Sequence, residues 1–393
     1  EVYSGPLADE QLLSWPDMIV LTGVTNSFDR MLHITAYAKS KNPKVIIVVG
    51  GPAIRALPKY SARFFDYCCT GDIEELQRVV TDAFGKDYVT EEMIPRIDLA
   101  YWLGMHGHVE TSRNCYHACA FCSLTAEKNT YQAYSSDYIR KQFDLMGKRR
   151  TVHFIDNNFY MQDKDAFAEK LELIDDYRKK GQFKYWSALV STDFFQDDRN
   201  LEMARKTGCT ALFSGIESFD MDSLRSYHKF HNTKVPQLEI IQKTLEHGIA
   251  FWYGLFIDVY TRHIEELHSE LSFILNNITI TVPGFITLPI PILGTPLFSQ
   301  AIEHKKVFPN TRLRHLDGST LFMEPVNDIQ QAVNFVRQIQ NMQPYRGILM
   351  KHALGFAKHY RKAMNMEKLI YSLAANLLLP FNRTFTQPIL SRR

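Results

Sequence analysis

The run Val45-Ile46-Ile47-Val48-Val49, closed by Gly50-Gly51-Pro52, offers no polar side chain to either face of a strand. Such a strand is stable only with both faces covered, as in a parallel sheet flanked by helices. The pattern recurs along the chain. Upstream, Pro16-Asp17 introduces Met18-Ile19-Val20-Leu21, a polar turn spans Thr22 to Asn26, and a helix is expected from about Phe28 to Lys41. Downstream, strands are expected at Gly107 to Glu110, Thr151 to Ile155, Tyr185 to Val190, Ala211 to Ser218, Ala250 to Ile257 and Gly284 to Ile290. Between them lie helical stretches at Asp137 to Met146, Asp165 to Lys180, up to Arg205, Leu238 to His247 and Ile264 to Asn276. Strand then helix, repeated, is a parallel βα series, so the fold class is α/β with ligands at the carboxyl ends of the strands.

Three of the six cysteines, Cys115, Cys119 and Cys122, fall within eight residues. One tight loop can turn three thiolates so spaced toward a single inorganic centre, whereas structural metal sites close with four protein ligands. Three thiolates leave one iron of a cubane cluster open to a small molecule. The alternative is a structural zinc site completed by His117 or by one of Cys68, Cys69 and Cys209, in a binding protein without turnover. Six cysteines in 393 residues do not form a disulfide framework, and a reducing, cytoplasmic compartment suits an exposed cluster.

Charge says little: 45 basic against 43 acidic residues leave +2, with no electrostatic case for nucleic acid. No transmembrane segment is expected, because Pro283, Pro289, Pro291 and Pro296 interrupt the apolar run from Ile278 to Phe298. There is no signal peptide pattern, and the first residue is Glu1 rather than Met, so a preceding segment is expected.

The loop Thr111-Ser112-Arg113-Asn114-Cys115-Tyr116-His117-Ala118-Cys119-Ala120-Phe121-Cys122 resembles the cluster loop of the radical S-adenosylmethionine (radical SAM) enzymes. The resemblance implies a [4Fe–4S] cluster held by Cys115, Cys119 and Cys122, S-adenosylmethionine on the fourth iron, and a 5′-deoxyadenosyl radical after one-electron reduction. It implies Phe121 near the adenine, Asp156 in Phe154-Ile155-Asp156-Asn157 as the acid that receives the cofactor ammonium, Ser191 and Thr192 as ribose or carboxylate contacts, and Glu217 in Gly215-Ile216-Glu217-Ser218 as a cofactor anchor. Asn114 stands where the family often has Gly, and tolerates a left-handed backbone. Leu288-Pro289-Ile290-Pro291-Ile292-Leu293-Gly294-Thr295-Pro296-Leu297 is similar to the passage that closes the family's barrel. Asp258 and Tyr260, where the fifth strand departs from the family pattern, are expected to address the substrate.

The earlier passage, from Pro16-Asp17 through Gly50-Gly51-Pro52 to Gly71-Asp72-Ile73-Glu74-Glu75, resembles the later part of the cobalamin-binding domain fused to many such enzymes. That resemblance implies Thr22, Thr25, Gly50 and Gly51 as cobalamin contacts. The family's leading strand and its Asp-x-His-x-x-Gly loop have no counterpart here, so an unpaired sheet edge is expected.

The expected organisation is a partial Rossmann-like cobalamin-binding domain at 1–85, a linker at 86–107, a radical SAM partial (β/α)6 barrel at 108–325 and a helical region at 326–393 with a loose tail after Pro380. Within the last, Lys351 to Lys362 is expected to be a solvated face over a buried stripe. The implied enzyme is a cobalamin-dependent radical SAM methyltransferase acting on an unactivated carbon of a hydrophobic lipid, polyprenoid or tetrapyrrole, in a pocket drawn from Phe251 to Tyr260 and Phe285 to Leu293. Oxidative cyclisation without methyl transfer is the alternative within the family. An electron donor such as flavodoxin or ferredoxin completes the scheme.

Overall fold

The computed structural model describes residues 15–378, apart from 91, 92, 101, 102, 129, 341, 343 and 344. The expected tail after Pro380 and the first fourteen residues lie outside the described part.

A three-stranded parallel sheet comes first: β1 (Met18–Thr22), β2 (Ile46–Gly50) and β3 (Tyr67–Cys68), in that spatial order. Helix α1 (Phe28–Lys41) crosses over from β1 to β2, and the short α2 (Pro52–Ala56) follows Gly50-Gly51. The β-branched run is buried as its composition requires, with Ile47 and Val49 packed on Phe28 and Met31 of α1. Val48 faces the other side against Val79 of α3 (Glu75–Phe84). Among the described residues β1 pairs with β2 only, so its outer edge is unpaired, and Val20 there is half-exposed.

The second sheet has six parallel strands in the order β11-β10-β9-β8-β7-β4. Its members are β4 (His106–Val109), β7 (Thr151–Phe154), β8 (Tyr185–Leu189), β9 (Cys209–Glu217), β10 (Ala250–Phe256) and β11 (Phe285–Thr287). A two-stranded ribbon, β5 (Ser112–Arg113) with β6 (Gln132–Ala133), brackets the cysteine loop. Helices α4 (Ser123–Glu127), α5 (Ser136–Met146), α6 (Lys164–Lys179), α7 (Asp198–Lys206), α8 (Met221–Ser226), α9 (Gln237–Glu246) and α10 (Ile264–Asn276) alternate with the strands. Burial has period two across the sheet. Val109, Val152, Phe154, Trp186, Ala188, Leu212, Phe251, Tyr253 and Leu255 are buried under the helices. Their neighbours in sequence, such as His108, His153, Ser187, Phe213 and Trp252, point to the opposite, partly accessible face.

Past the sheet run α11 (Pro296–Glu303), α12 (Ile329–Gln340), α13 (Arg346–Tyr360), α14 (Met366–Ser372) and α15 (Ala374–Leu378). Helix α13 carries Lys351 to Tyr360 as expected of a buried stripe: His352 Nε2 contacts Asn277 O at 3.0 Å and Tyr360 Oη donates to Thr279 O at 2.7 Å. Among the described residues no helix is long and apolar enough to cross a membrane.

Candidate active site

The cysteine loop leaves the ribbon through Asn114, whose φ of 62° supplies the left-handed step expected of it. The turn is held by Asn114 N donating to Asn157 Oδ1 at 3.1 Å and by Asn114 Nδ2 donating to Thr130 O at 3.0 Å. Mid-loop, Ala120 N donates to Tyr227 O at 2.8 Å and Leu297 N donates to Ala120 O at 3.0 Å, so the barrel-closing passage and the turn after α8 both grip the loop. Cys115, Cys119 and Cys122 then line one cavity of about 180 Å3 together with Phe121, Asn157, Asn158, Ser191 and Glu217. Among the described residues no three His, Cys, Asp or Glu side chains converge as they would on a single ion. The three thiols instead share a cavity wall, which suits a polynuclear centre. Of the fourth ligands the zinc alternative offers, His117 alone lines the cavity. Cys68 and Cys69 belong to the first sheet, Cys209 is sealed at the start of β9, and His117 is stacked on His231 at 3.8 Å.

Glu217 sits at the end of β9 with φ 63°, beyond a register shift against β10 between Gly254 and Leu255. A non-glycine residue in that conformation stores strain, a recurrent mark of functional positions. Its Oε1 accepts from Lys229 Nζ at 2.8 Å. Burial works against the Lys229 ammonium, but Glu217, Cys119 and Cys122 outweigh it, and its pKa lies above the ordinary lysine value. Burial raises all three thiols, Cys119 to about 11, with Lys229 opposing the rise. Metal binding requires thiolates, and Lys229 is the cation placed to compensate their charge. A Cβ at Gly215 would meet both the Glu217 carboxylate and the Lys229 ammonium, so a methyl group there would push this pair aside. Nothing in the sequence distinguishes Lys229 from other lysines, and sequence reasoning missed it.

Asp156 takes a different place from the expected one. It is 3% exposed and does not line the cavity. Its carboxylate accepts from Thr111 N at 2.6 Å, Thr111 Oγ1 at 2.9 Å, Ser112 N, and Ser112 Oγ at 3.1 Å, so it anchors the loop from behind instead of facing an ammonium. The buried Lys170 donates to Thr111 Oγ1 at 3.2 Å and lies 4.0 Å from the Phe159 ring centroid. Asn157 and Asn158 are the residues of that strand end that reach the cavity.

Ser191 reaches the cavity too, with its N–H donating to Asn158 Oδ1 at 3.0 Å and its hydroxyl bonded to Asp193. Thr192 is buried and bonds Asn232. Asp193, also unforeseen, accepts from Tyr116 Oη at 2.7 Å and faces His117 at 3.5 Å. Burial opposes its charge, but the bonds from His117, Ser191 and Tyr116 prevail and hold its pKa at about 2. Asn158 Nδ2 is buried without a protein acceptor, a donor left for a ligand oxygen. Phe121 makes edge contacts with Phe256 at 5.0 Å and Tyr227 at 5.9 Å, closing one side. Asp258 and Tyr260 do not face the cavity. Both are buried, and Asp258 accepts from Tyr227 Oη, Thr261 Oγ1 and Tyr260 N. Of the expected substrate walls, Phe251, Tyr253 and Leu255 point into the helix-side core, whereas Trp252 and Phe285 lie on the accessible face of the sheet.

A second cavity, of about 170 Å3, opens at the carboxyl ends of β1, β2 and β3. Thr22, Gly50 and Gly51 line it beside apolar walls from Val20, Val49 and Leu76. Gly51 has φ 90°, and a Cβ there would stand 2.8 Å from Thr22 Oγ1, so the lip closes tightly only with glycine. Thr25 is buried in the turn before α1 and is not part of the wall. Arg55 is, and its buried Nε has no partner. The Arg55 guanidinium also pairs with Glu127 of α4, directly after Cys122, and with Asp72 at 2.7 Å. Reciprocally, Arg113 of the ribbon pairs with Glu74 at 2.9 Å. Two ion pairs of opposite sense thus tie the rim of the second cavity to both ends of the cysteine loop.

Residues 7–80 match the B12 binding domain family and residues 109–269 match the Radical SAM superfamily. The chain is 25% identical over 286 residues to the hopanoid C-2 methylase of Rhodopseudomonas palustris, covering 66% of this chain and 53% of that protein. It is 28% identical over 214 residues to the bacteriochlorophyllide d C-12(1)-methyltransferase of Chlorobaculum tepidum, covering 52% of this chain and 43% of that protein. The chain thus spans about half the length of these curated relatives. Its fold is similar to the cobalamin-dependent S-adenosylmethionine radical enzyme OxsB (TM-score 0.62, 16% identity, 95% of this chain and 64% of that one). It is also similar to the radical S-adenosylmethionine methyltransferase TsrM of Kitasatospora setae (TM-score 0.60, 13% identity, 94% and 88%). The cofactors of the two domains are a [4Fe–4S] cluster with S-adenosylmethionine and cobalamin. The chain carries a B12-binding domain over residues 7–80 followed by a radical SAM domain over residues 109–269.

Proposed function

We infer that this enzyme methylates an unactivated carbon of a largely apolar small molecule. The observation that carries the inference is the junction of the two cavities: a three-thiol cavity and a glycine-lipped cavity, with reciprocal ion pairs binding the loop of one to the rim of the other. The names of the curated relatives, a hopanoid methylase and a bacteriochlorophyllide methyltransferase, support an apolar polycyclic or tetrapyrrole substrate.

When bound, the open-iron cluster supplies one electron to S-adenosylmethionine and cobalamin supplies a transferable methyl group. Cys115, Cys119 and Cys122 would hold the cluster, and Lys229 offsets the charge of their thiolates. Glu217, the Ser191 hydroxyl and Asn158 Nδ2 offer an anion, a hydroxyl and an amide donor to the amino-acid and ribose parts of the cofactor, while Phe121 excludes water on one side. Thr22, Gly50 and Gly51 would hold a projecting part of cobalamin, since about 170 Å3 is far too small for the whole group. Carbon methylation of this kind needs no general acid and base. An external one-electron donor of flavodoxin or ferredoxin type supplies reducing equivalents.

The test is anaerobic reconstitution with iron, sulfide and hydroxocobalamin, followed by metal assay, spectrum and product analysis, for the native protein and Cys119→Ala. The expected result is a brown protein with about four irons per chain, corrin bands that survive desalting, and both 5′-deoxyadenosine and S-adenosylhomocysteine on turnover. Cys119→Ala loses the iron. Zinc without iron overturns the reading, and 5′-deoxyadenosine without S-adenosylhomocysteine replaces methyl transfer by a cyclase-type reaction.

A further inference from the structure

The net charge of +2 hides a division along the chain. From Ile329 to Arg393 the sequence holds ten Lys and Arg against a single acid, Glu367, while the 328 residues before hold 35 against 42. A strongly basic stretch on an acidic remainder points to an anionic partner. Glu367 is itself engaged by Arg150, at 2.6 Å. Lys351, Lys358, Arg361 and Lys362 are exposed, and among the described residues none of them meets an acidic side chain.

These cations frame an apolar face. Helix α13 is seated on the core by Leu349, Ala353, Phe356 and Tyr360, buried along one side. Its opposite side, at helical spacing, carries Gly347, Met350, Lys351, Leu354 and Lys358. Leu354, at the centre, is 71% exposed, and Met350 one turn before it is 52% exposed. Ile348 flanks them, and Ile278 from the turn after α10 closes on Gly355, where a Cβ would stand 2.7 Å from its Cγ2. Both isoleucines are partly exposed. Leaving such side chains in water is unfavourable, and the flanking lysine stems can lie along apolar surface with their ammonium groups directed outward. A nucleic acid answers the charge but offers nothing to a leucine at the centre of the face. The interface of an anionic bilayer answers both, with headgroups for the cations and acyl chains for the aliphatic side chains.

We propose that the exposed face of α13 docks on an anionic phospholipid bilayer, with Met350 and Leu354 entering the boundary between headgroups and acyl chains and Lys351, Lys358, Arg361 and Lys362 meeting the lipid phosphates. The inference stands on this surface alone and does not depend on the cofactors. A substrate as apolar as the one proposed above partitions into such a bilayer, so docking sets the enzyme beside its source.

Flotation of the anaerobically reconstituted protein with lipid vesicles tests the assignment. Vesicles of phosphatidylcholine mixed with an equal amount of phosphatidylglycerol should carry the protein upward at low salt, vesicles of phosphatidylcholine alone should not, and added salt should weaken the binding. Lys351→Gln combined with Lys358→Gln should reduce affinity for the mixed vesicles about tenfold or more, and Leu354→Gln alone about tenfold. Lys206→Gln, at an exposed lysine of α7, should bind as the native protein does. Leu354→Trp should add fluorescence that moves to the blue when mixed vesicles are supplied. All these positions are exposed, and an unchanged far-ultraviolet circular dichroism spectrum checks that each variant is folded. Absence of flotation with the mixed vesicles, equal flotation with both kinds, or a loss in Lys206→Gln as large as in the double variant would overturn the proposal. So would binding that depends on the lysines but not on Leu354, without a blue shift, because that result assigns the surface to an acidic macromolecule met by charge alone.

Discussion

The two ends of the cysteine loop are each fastened by a buried lysine and a carboxylate, yet the two fastenings are built for different tasks. At the leading end Asp156 takes four donors from Thr111 and Ser112, Lys170 shares Thr111, and the group is closed off from the cavity. At the trailing end Glu217 and Lys229 line the cavity itself, and Lys229 faces the thiols. The same pair of residue types thus serves as a structural anchor where the carboxylate takes four donors, and as an electrostatic element where coordination is left incomplete.

Substitutions can break this contrast. Asp156→Ala should have the largest effect, a loss of about 3–5 kcal/mol in denaturant unfolding, because the buried Thr111 and Ser112 donors lose their acceptor and the buried Lys170 ammonium its nearby counter-charge. Lys229→Met should cost about 2–4 kcal/mol by stranding Glu217. Adding Glu217→Gln should return most of that stability while S-adenosylmethionine cleavage stays slowed about 10–100-fold. If the double variant recovers cleavage, the trailing pair is no more than a second anchor. Gly215→Ala, which drives a methyl group into the Glu217–Lys229 pair, should weaken S-adenosylmethionine binding about tenfold, or about 1.4 kcal/mol, with a change in unfolding free energy below about 1 kcal/mol.

The smallest effect is a pH signature of the leading end. Burial brings Lys170 to about 8, with Asp156 opposing, whereas an unfolded lysine titrates near its ordinary value of about 10.4. Between those values the unfolded chain binds the extra proton, so stability rises with pH. Relative to Lys170→Met, the native protein should gain about 1 kcal/mol between pH 7 and 9 in parallel denaturation series. A flat difference would mean that Lys170 stays charged throughout.

The sheet was legible because β-branched runs and amphipathic stretches alternate without ambiguity. The expected helix Ile264 to Asn276 and the strand Ala250 to Ile257 agree with the structure to within a residue. The ligand loop was legible because three cysteines within eight residues have few other uses. What a strand-end acid does was not. Whether Asp156 turns into the cavity or back beneath Thr111 depends on a loop 45 residues earlier, and no local pattern records it. Lys229 and Lys170 owe their significance to burial against distant residues. Asp258 and Tyr260 were misplaced because the chain turns at Ile257, and Asp258 is taken up by Tyr227 and Thr261.

The reciprocal ion pairs between the two cavities bear on how interchangeable the modules are. Each side contributes one arginine and one glutamate, Arg55 and Glu74 against Glu127 and Arg113. A replacement for the first sheet taken from another protein would have to match that order of charges as well as fold correctly. With the order inverted it would set arginine against arginine and glutamate against glutamate beside the cysteine loop. A working chimera therefore needs its crossover to carry both members of each pair, or to exchange them together.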